Sequence, residues 1–139
     1  MMDSVIPFIS AIIIIGILVF FAILLTGKRG HHFDLEYYQT RFLAIENKLN
    51  RENPVSFSLV VIEADKLLDR AMNEAGIPGK TMGDRLKRSG NRFGDVNAVW
   101  HAHKLRNTIA HEPDFEVSYE KAKNALESYK KALRDLGAI

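Results

Sequence analysis

Residues 95–112 read DVNAVWHAHKLRNTIAHE and predict one helix whose faces differ in character. Asp95 is a typical N-cap residue, and Pro113 requires the helix to end by Glu112. At about 100° per residue, apolar side chains recur along one stripe of this helix. We expect that stripe to face the core of the protein: Ala98, Ala102, Leu105 and Ile109.

A second face of the same helix mixes polar with apolar side chains. It carries the following residues: His103, Arg106, Asn107, His111, Val99 and Trp100. Apolar faces pack in cores and charged faces meet solvent, so a mixed face is typical of a pocket wall or a protein interface. We expect any activity to reside on this face, and we interpret Trp100 as packing rather than as a platform for a stacked base.

The segments around this helix also predict helices, and none of them predicts a strand. Residues typical of helix starts and stops bound these segments: Asp34, Thr81, Ser118, Gly76 and Gly137. Asn53 and Pro54 predict one further start, with Asn53 as the capping side chain and Pro54 at the first helical position. Five helices joined by short loops over 34–139 predict an all-α, up-and-down bundle.

Residues 5–25 form a run of 21 residues, of which 18 are apolar and none is charged. Because a helix rises about 1.5 Å per residue, this run is long enough for the roughly 30 Å core of a bilayer. No basic segment precedes it and no small-x-small cleavage motif follows it, which favours a retained anchor over a signal peptide. We expect a single transmembrane helix within 1–27, a basic juxtamembrane linker at 28–33 and a helical domain at 34–139.

The charges of the chain are distributed asymmetrically about this run. All 19 Lys and Arg residues follow it, beginning with Lys28 and Arg29. Positive charge on that side predicts an N-terminus outside the cell and a cytoplasmic domain. The absence of cysteine agrees with a reducing compartment. One apolar run and one domain-sized segment exclude a multi-pass transporter, a two-domain enzyme and a disordered tail.

Arg106, Asn107 and His111 form the pattern Arg-Asn-x-x-x-His near the end of the penultimate predicted helix. An Arg, a polar residue directly after it, and a His after four intervening residues resemble the signature of the HEPN superfamily. The resemblance covers 34–136 and implies an all-α domain that forms a homodimer. Some members of that superfamily cleave RNA without a metal ion, whereas others are non-catalytic.

The resemblance also implies roles that fit the chemistry of RNA, whose 2′-hydroxyl is an internal nucleophile. His111 would transfer a proton near neutral pH, Arg106 would hold the phosphate, and Asn107 would orient the imidazole or the phosphate. Two hypotheses follow. The first is a membrane-tethered ribonuclease or RNA-binding effector, and the second is a non-catalytic dimerisation scaffold at the cytoplasmic face of the membrane. We expect no cofactor and no small-molecule substrate.

Other residues are secondary candidates. His103 and Glu63 could assist catalysis, whereas Asp65 and Asp69 are interpreted as a polar flank of their helix. One basic segment is predicted to contact RNA phosphates or anionic lipid, or to form a solvated surface: Lys80, Arg85, Lys87, Arg88 and Arg92. The chain has no cysteine pair and no HExxH motif, so no metal site is predicted.

Overall fold

The computed structural model describes the backbone of residues 2–26 and 32–139, and the side chains of residues 7–22 and 32–139. The chain divides into two compact units, Met1–Gly30 and His31–Ile139. Most of the predicted juxtamembrane linker, residues 28–31, lies outside the described residues.

The first unit contains one helix, α1 (Met2–Thr26), which includes Pro7. Its large apolar side chains within 8–21 are exposed to solvent, as Phe8 and Ile12 illustrate. Among the parts of the chain with described side chains, no helix is long and apolar enough to cross a membrane. Residues 5–6 and 23–25 of the predicted membrane segment lie outside those parts.

The second unit confirms the prediction of an all-α domain. Its helices are α2 (Leu35–Lys48), α3 (Val55–Glu74), α4 (Met82–Lys87), α5 (Val96–His111) and α6 (Tyr119–Leu136). A short 3₁₀ turn, Gly90–Arg92, lies between α4 and α5. Residues 32–139 contain no strand, and their five α-helices match the five predicted segments.

Four of the predicted N-caps are confirmed by hydrogen bonds from backbone N–H groups to side-chain oxygens. The capping residues are Asp34, Thr81, Asp95 and Ser118. Each satisfies a donor that the first turn of a helix leaves without an intrahelical partner. Gly76 and Gly137 have φ values of 71° and 78°, so both stop signals adopt the left-handed conformation that glycine tolerates best.

The predicted cap at Asn53 is wrong. Pro54 is the N-cap residue of α3, and no side chain caps this helix. The Ser56 hydroxyl instead donates to the Asn53 carbonyl at 2.6 Å and accepts from the backbone N–H of Asn50 at 3.2 Å. Ser56, in the first turn of α3, thus stabilises the loop before this helix, and the Asn53 side chain makes no capping hydrogen bond.

Helix α3 is central, because α2, α4, α5 and α6 all pack against it. The largest fully buried side chains come mainly from α2, α3 and α6: Tyr38, Phe42, Ile45, Val60, Val61, Leu68, Met72, Tyr129 and Leu133. Burying an aliphatic or aromatic side chain contributes about 1.5–3 kcal/mol, so this cluster stabilises the packing of α2 and α6 on α3. The shorter helix α4 packs against α3 and α5.

The predicted core stripe of α5 is only partly correct. Val99 and Ala102 are the buried residues of this helix, at 1% and 4% exposure, whereas Leu105 and Ile109 are half-buried. Relative to the prediction, the buried face of α5 is turned by roughly 60°, taking about 100° per residue. The turn brings His103 and Arg106 toward α3, and their partner there is Asp65.

Candidate functional site

Asp65 lies on the apolar stripe of α3 and is only 4% exposed. Its Oδ1 is 2.8 Å from Nδ1 of His103 on α5 and accepts a hydrogen bond of 2.9 Å from the Tyr129 hydroxyl on α6. Its Oδ2 lies 3.6 Å from Nε of Arg106. A buried carboxylate is costly unless it is paired and hydrogen-bonded, and here α5 and α6 supply the partners.

Asn107 closes the set of contacts around Asp65 into a ring. Nη1 of Arg106 donates to Oδ1 of Asn107 at 3.2 Å, and Nδ2 of Asn107 lies 3.3 Å from Nε2 of His103. Because arginine can only donate, the amide oxygen must face Arg106 and the amide nitrogen must face His103. We call these four residues the polar ring: Asp65, His103, Arg106 and Asn107.

The direction of the hydrogen bonds in the polar ring fixes the tautomer of His103. Nε2 accepts from the Asn107 amide, so the proton sits on Nδ1 and is donated to Asp65. Burial and the neighbouring Asp65 carboxylate raise the pKa of the Tyr129 hydroxyl, which stays protonated and remains a donor. Nδ1 of His103 and the Tyr129 hydroxyl therefore both donate to Oδ1 of Asp65.

One edge of the Arg106 guanidinium contacts other residues of the polar ring, and the other edge has no such contact. Its Nε is buried without a hydrogen bond, although it lies within ion-pair distance of Asp65. Within 32–139, Nη1 bonds to Asn107, whereas Nη2 has no hydrogen-bond partner and is not buried. The guanidinium therefore presents one unused donor group to its surroundings.

The polar ring forms one wall of a cleft of about 580 Å³ between α3, α4 and α5. This volume is in the range of ligand sites, about 300–1,000 Å³. The cleft is lined by Asp65, Lys66, Asp69, Thr81, Met82, Gly83, Asp84, Lys87, Trp100, His103, Arg106 and Asn107. A Cβ atom placed on Gly83 would lie 3.8 Å from Nε2 of His103, so the imidazole nitrogen borders the space in front of α4.

The structure brings together three of the predicted site residues, Arg106, Asn107 and His103. His111, the last residue of α5, is exposed and is not among the residues that line the cleft. Glu63 is on the surface and forms an ion pair of 2.7 Å with Lys48. The carboxylate that contacts a histidine of the candidate site is therefore that of Asp65, which contacts His103. The prediction that Asp65 belongs to a polar flank of its helix is wrong, because the residue is buried.

A signal for Asp65 was present in the sequence. Val61, Asp65, Leu68 and Met72 follow one another at helical spacing, so a single acid interrupts an otherwise apolar stripe. A charge at such a position needs a partner from another element, since burial without one is prohibitive. The sequence gives no direct indication of which helix provides it, because the partner is 38 residues away in the chain.

The predicted basic segment does not form one surface. Arg85 has a side chain only 12% exposed and donates to Asp69 at 2.8 Å and to Asn73 at 3.3 Å. Its inclusion among residues that contact RNA or lipid is therefore a misassignment, since its guanidinium joins α4 to α3. Lys87 borders the cleft, and the remaining basic residues of the segment are exposed: Lys80, Arg88 and Arg92.

Among the described residues, no group of three or more His, Asp or Glu side chains is arranged to hold a metal ion. No family model, no curated protein and no solved structure matches this chain. The function is therefore inferred from the cleft and its polar ring.

Proposed function

We propose that this chain is a membrane-anchored, HEPN-like ribonuclease that binds and cleaves RNA at the cleft without a metal ion. One observation carries the proposal: the imidazole of His103 is oriented by the buried Asp65, and its Nε2 borders the cleft beside Arg106. A histidine oriented by a carboxylate is a recurrent general base. Arginine is the side chain best suited to holding a phosphate.

The reaction uses the 2′-hydroxyl of the RNA as nucleophile. The 2′-hydroxyl displaces the Asn107 amide from Nε2 of His103, which then takes the 2′-hydroxyl proton, and Asp65 stabilises the imidazolium that forms. The 2′-oxygen bonds to the adjacent phosphorus and the bond to the 5′-oxygen breaks, which gives a 2′,3′-cyclic phosphate and a 5′-hydroxyl end. Nη2 of Arg106 binds a non-bridging phosphate oxygen and stabilises the charge that develops there.

The leaving 5′-oxygen needs a proton, and we assign this role to His111 of a second copy of the chain. His111 lies eight residues after His103 on α5, which is about 12 Å along a helix axis at about 1.5 Å per residue. Two imidazoles at that separation cannot act on one phosphate within one chain. A homodimer that brings two α5 helices together would supply the missing acid, and Arg106, Asn107 and His111 would then serve one reaction.

We further propose that residues 5–25 anchor the chain in a membrane, with the domain 34–139 on the cytoplasmic side. The support for this is the composition of the run, which has 18 apolar residues in 21 and no charge. Lys28 and Arg29 directly after it favour the cytoplasmic orientation of the domain.

The test is cleavage of a labelled single-stranded RNA by the full chain in detergent micelles, with EDTA present. We expect cyclic phosphate ends, and at least a hundredfold slower cleavage for His103→Ala and for Arg106→Ala. His101→Ala is the matched control, because His101 is exposed on another face of α5. His111→Ala should also be slow, and mixing it with His103→Ala should restore activity through mixed dimers.

RNA that stays intact with the wild-type chain and with every variant would contradict the proposal. If such a chain were still dimeric, the non-catalytic scaffold would be the better description. Circular dichroism of each variant shows whether a loss of cleavage reflects a loss of fold, since α-helices dominate residues 32–139.

A further inference from the structure

We infer that the part of the cleft formed by α4 and Trp100 is a binding subsite for a guanine base. This inference rests on the proposed function, because it names the base that lies next to the phosphate at Arg106. It draws on cleft residues that the polar ring does not include: Thr81, Gly83, Asp84, Lys66, Lys87 and Trp100.

Gly83 leaves α4 without a side chain at the edge of the cleft nearest to Trp100 and His103. A Cβ atom at this position would have Trp100 Cη2 and His103 Nε2 as its nearest neighbours, both at 3.8 Å. The α4 backbone therefore faces the indole and the imidazole across a gap that any side chain at position 83 would reduce. Trp100 is half-buried and contacts His103 edge to face, with ring centroids 6.1 Å apart, which holds the indole at the cleft.

Trp100 packs against the core, as the sequence predicts, but it also lines the cleft. An aromatic side chain beside an open cleft can serve as a platform on which bases stack. Stacking alone does not distinguish one base from another, because every base has an aromatic face. The choice of base must come from hydrogen bonds to its edge, and α4 carries the groups that are free to make them.

Asp84 supplies the acceptors. Its side chain is half-buried and lines the cleft, and within 32–139 its carboxylate has neither a hydrogen bond nor an ion pair. The other two carboxylates of the cleft are already used, Asp65 by the polar ring and Asp69 by Arg85. A carboxylate with two free oxygens matches the adjacent N1–H and N2–H donors of guanine, a pair that no other RNA base presents.

Thr81, the N-cap residue of α4, also lines the cleft and supplies a donor. Its Oγ accepts a hydrogen bond of 3.1 Å from the backbone N–H of Asp84, so its own proton is free to be donated. The O6 atom of guanine is an acceptor beside N1–H, whereas adenine presents a donor at the equivalent position. The two α4 groups thus complement the guanine edge and oppose the adenine edge.

The two cleft lysines, Lys66 and Lys87, are exposed and would contact the phosphates that flank the base. This chemistry would serve a guanosine nucleotide within RNA as well as a free one. A dinucleotide that cannot be cleaved distinguishes these two ligands. A site for RNA should bind the dinucleotide more tightly than GMP, because the second nucleotide adds contacts, whereas a site for a free nucleotide should not.

The experiment is a fluorescence titration of the full chain in detergent micelles, because Trp100 is the single tryptophan and reports on the subsite directly. The probes are GMP, AMP, UMP, CMP and inorganic phosphate, with 2′-deoxyguanylyl-uridine as the uncleavable dinucleotide. We expect saturable quenching by GMP with a Kd at least tenfold below that for AMP, and no quenching by phosphate. A lower Kd for the dinucleotide than for GMP indicates that the ligand of the subsite is RNA. A lower Kd for GMP indicates that the ligand is a free guanosine nucleotide.

Three variants complete the experiment. Asp84→Asn should raise the Kd for GMP at least tenfold and remove the preference over AMP, whereas Glu127→Gln, an exposed acid on α6, should change neither. Gly83→Leu should abolish quenching, and Gly83→Ala should weaken it. Equal affinity for GMP and AMP, or no saturable quenching, would overturn the inference. Specific GMP binding by a chain that leaves RNA intact would instead refute the proposed cleavage while the subsite stands.

Discussion

Among the residues with described side chains, Asp65 is the only charged one that is buried, and it lies on the apolar stripe of α3. Replacing it with asparagine removes the charge that Arg106 faces. The amide oxygen can take the place of Oδ1 and accept from His103 and Tyr129, but the amide nitrogen then sets a donor against Nε of Arg106. We expect Asp65→Asn to lower the free energy of unfolding by about 2–4 kcal/mol. Urea denaturation followed by circular dichroism measures this change.

Glu63→Gln is the control for that measurement, since Glu63 lies two residues earlier and pairs with Lys48 on the surface. A surface ion pair contributes about 0–1 kcal/mol, so this variant should unfold close to the wild type. Similar urea midpoints for the Asp65 and Glu63 variants would show that the polar ring has no stabilising role.

Single residues were predictable from the sequence wherever their partners are local. The Asp34 and Asp95 caps bond to backbone groups three residues ahead, so their role follows from the order of residues alone. The roles of Asp65 and Arg85 were missed because their partners come from other helices. Glu63 was preferred over Asp65 for the same reason, since both are acids on α3 and only packing distinguishes them.

At the scale of whole elements, the bounds of the helices were predictable but the rotation of α5 was not. Hydropathy places Leu105 and Ile109 inward and His103 outward, because an unpaired polar side chain belongs in water. Once Asp65 pairs with His103, the cost of burying the imidazole disappears and Val99 takes the central position in the core. Sequence periodicity measures the apolar character of a face but not the partners of its polar groups.

The position of α4 depends on Gly79, which leads to a second prediction. Gly79 has φ of 158°, and a Cβ atom there would lie 2.7 Å from the backbone nitrogen of Arg85. Gly79→Ala must therefore displace α4 from its packing against α3. We expect this substitution to lower the free energy of unfolding by about 1–3 kcal/mol. The change in thermal unfolding midpoint measures the effect.

Gly83→Ala is the matched control within α4. Its added Cβ would meet no atom closer than 3.8 Å, and alanine favours a helix by up to about 1 kcal/mol over glycine. This variant should be as stable as the wild type or more so. A Gly79→Ala variant with unchanged stability would contradict the close approach of α4 to the glycine loop.

The whole molecule combines two units of opposite character, one apolar helix and one domain with 27 buried apolar residues in its core. If residues 5–25 anchor the chain, the protein should stay in the membrane fraction after alkaline carbonate extraction, and a chain that begins at residue 32 should not. Protease should digest the domain in inside-out vesicles and spare it in right-side-out vesicles. Full extraction by carbonate would refute the anchor.

Lys28→Gln combined with Arg29→Gln is the control for orientation. These changes leave the apolar run intact but remove the two charges that follow it directly. The variant should remain in the membrane while its orientation becomes mixed, so that both vesicle types show partial protection. Unchanged protection would show that these two charges do not set the orientation.

The polar ring has a consequence for the uniqueness of the fold. Helix α5 offers two surfaces that could pack against α3, one with Val99 and Ala102 and another with Leu105 and Ile109. By apolar content alone the second surface is favoured, yet Leu105 and Ile109 pack against the core only as half-buried residues. Only the first packing gives the Asp65 carboxylate its partners on α5, and the second would leave it buried with only the Tyr129 hydroxyl. We therefore expect the buried acid to disfavour the alternative packing, because a buried carboxylate without its charged partner is costly.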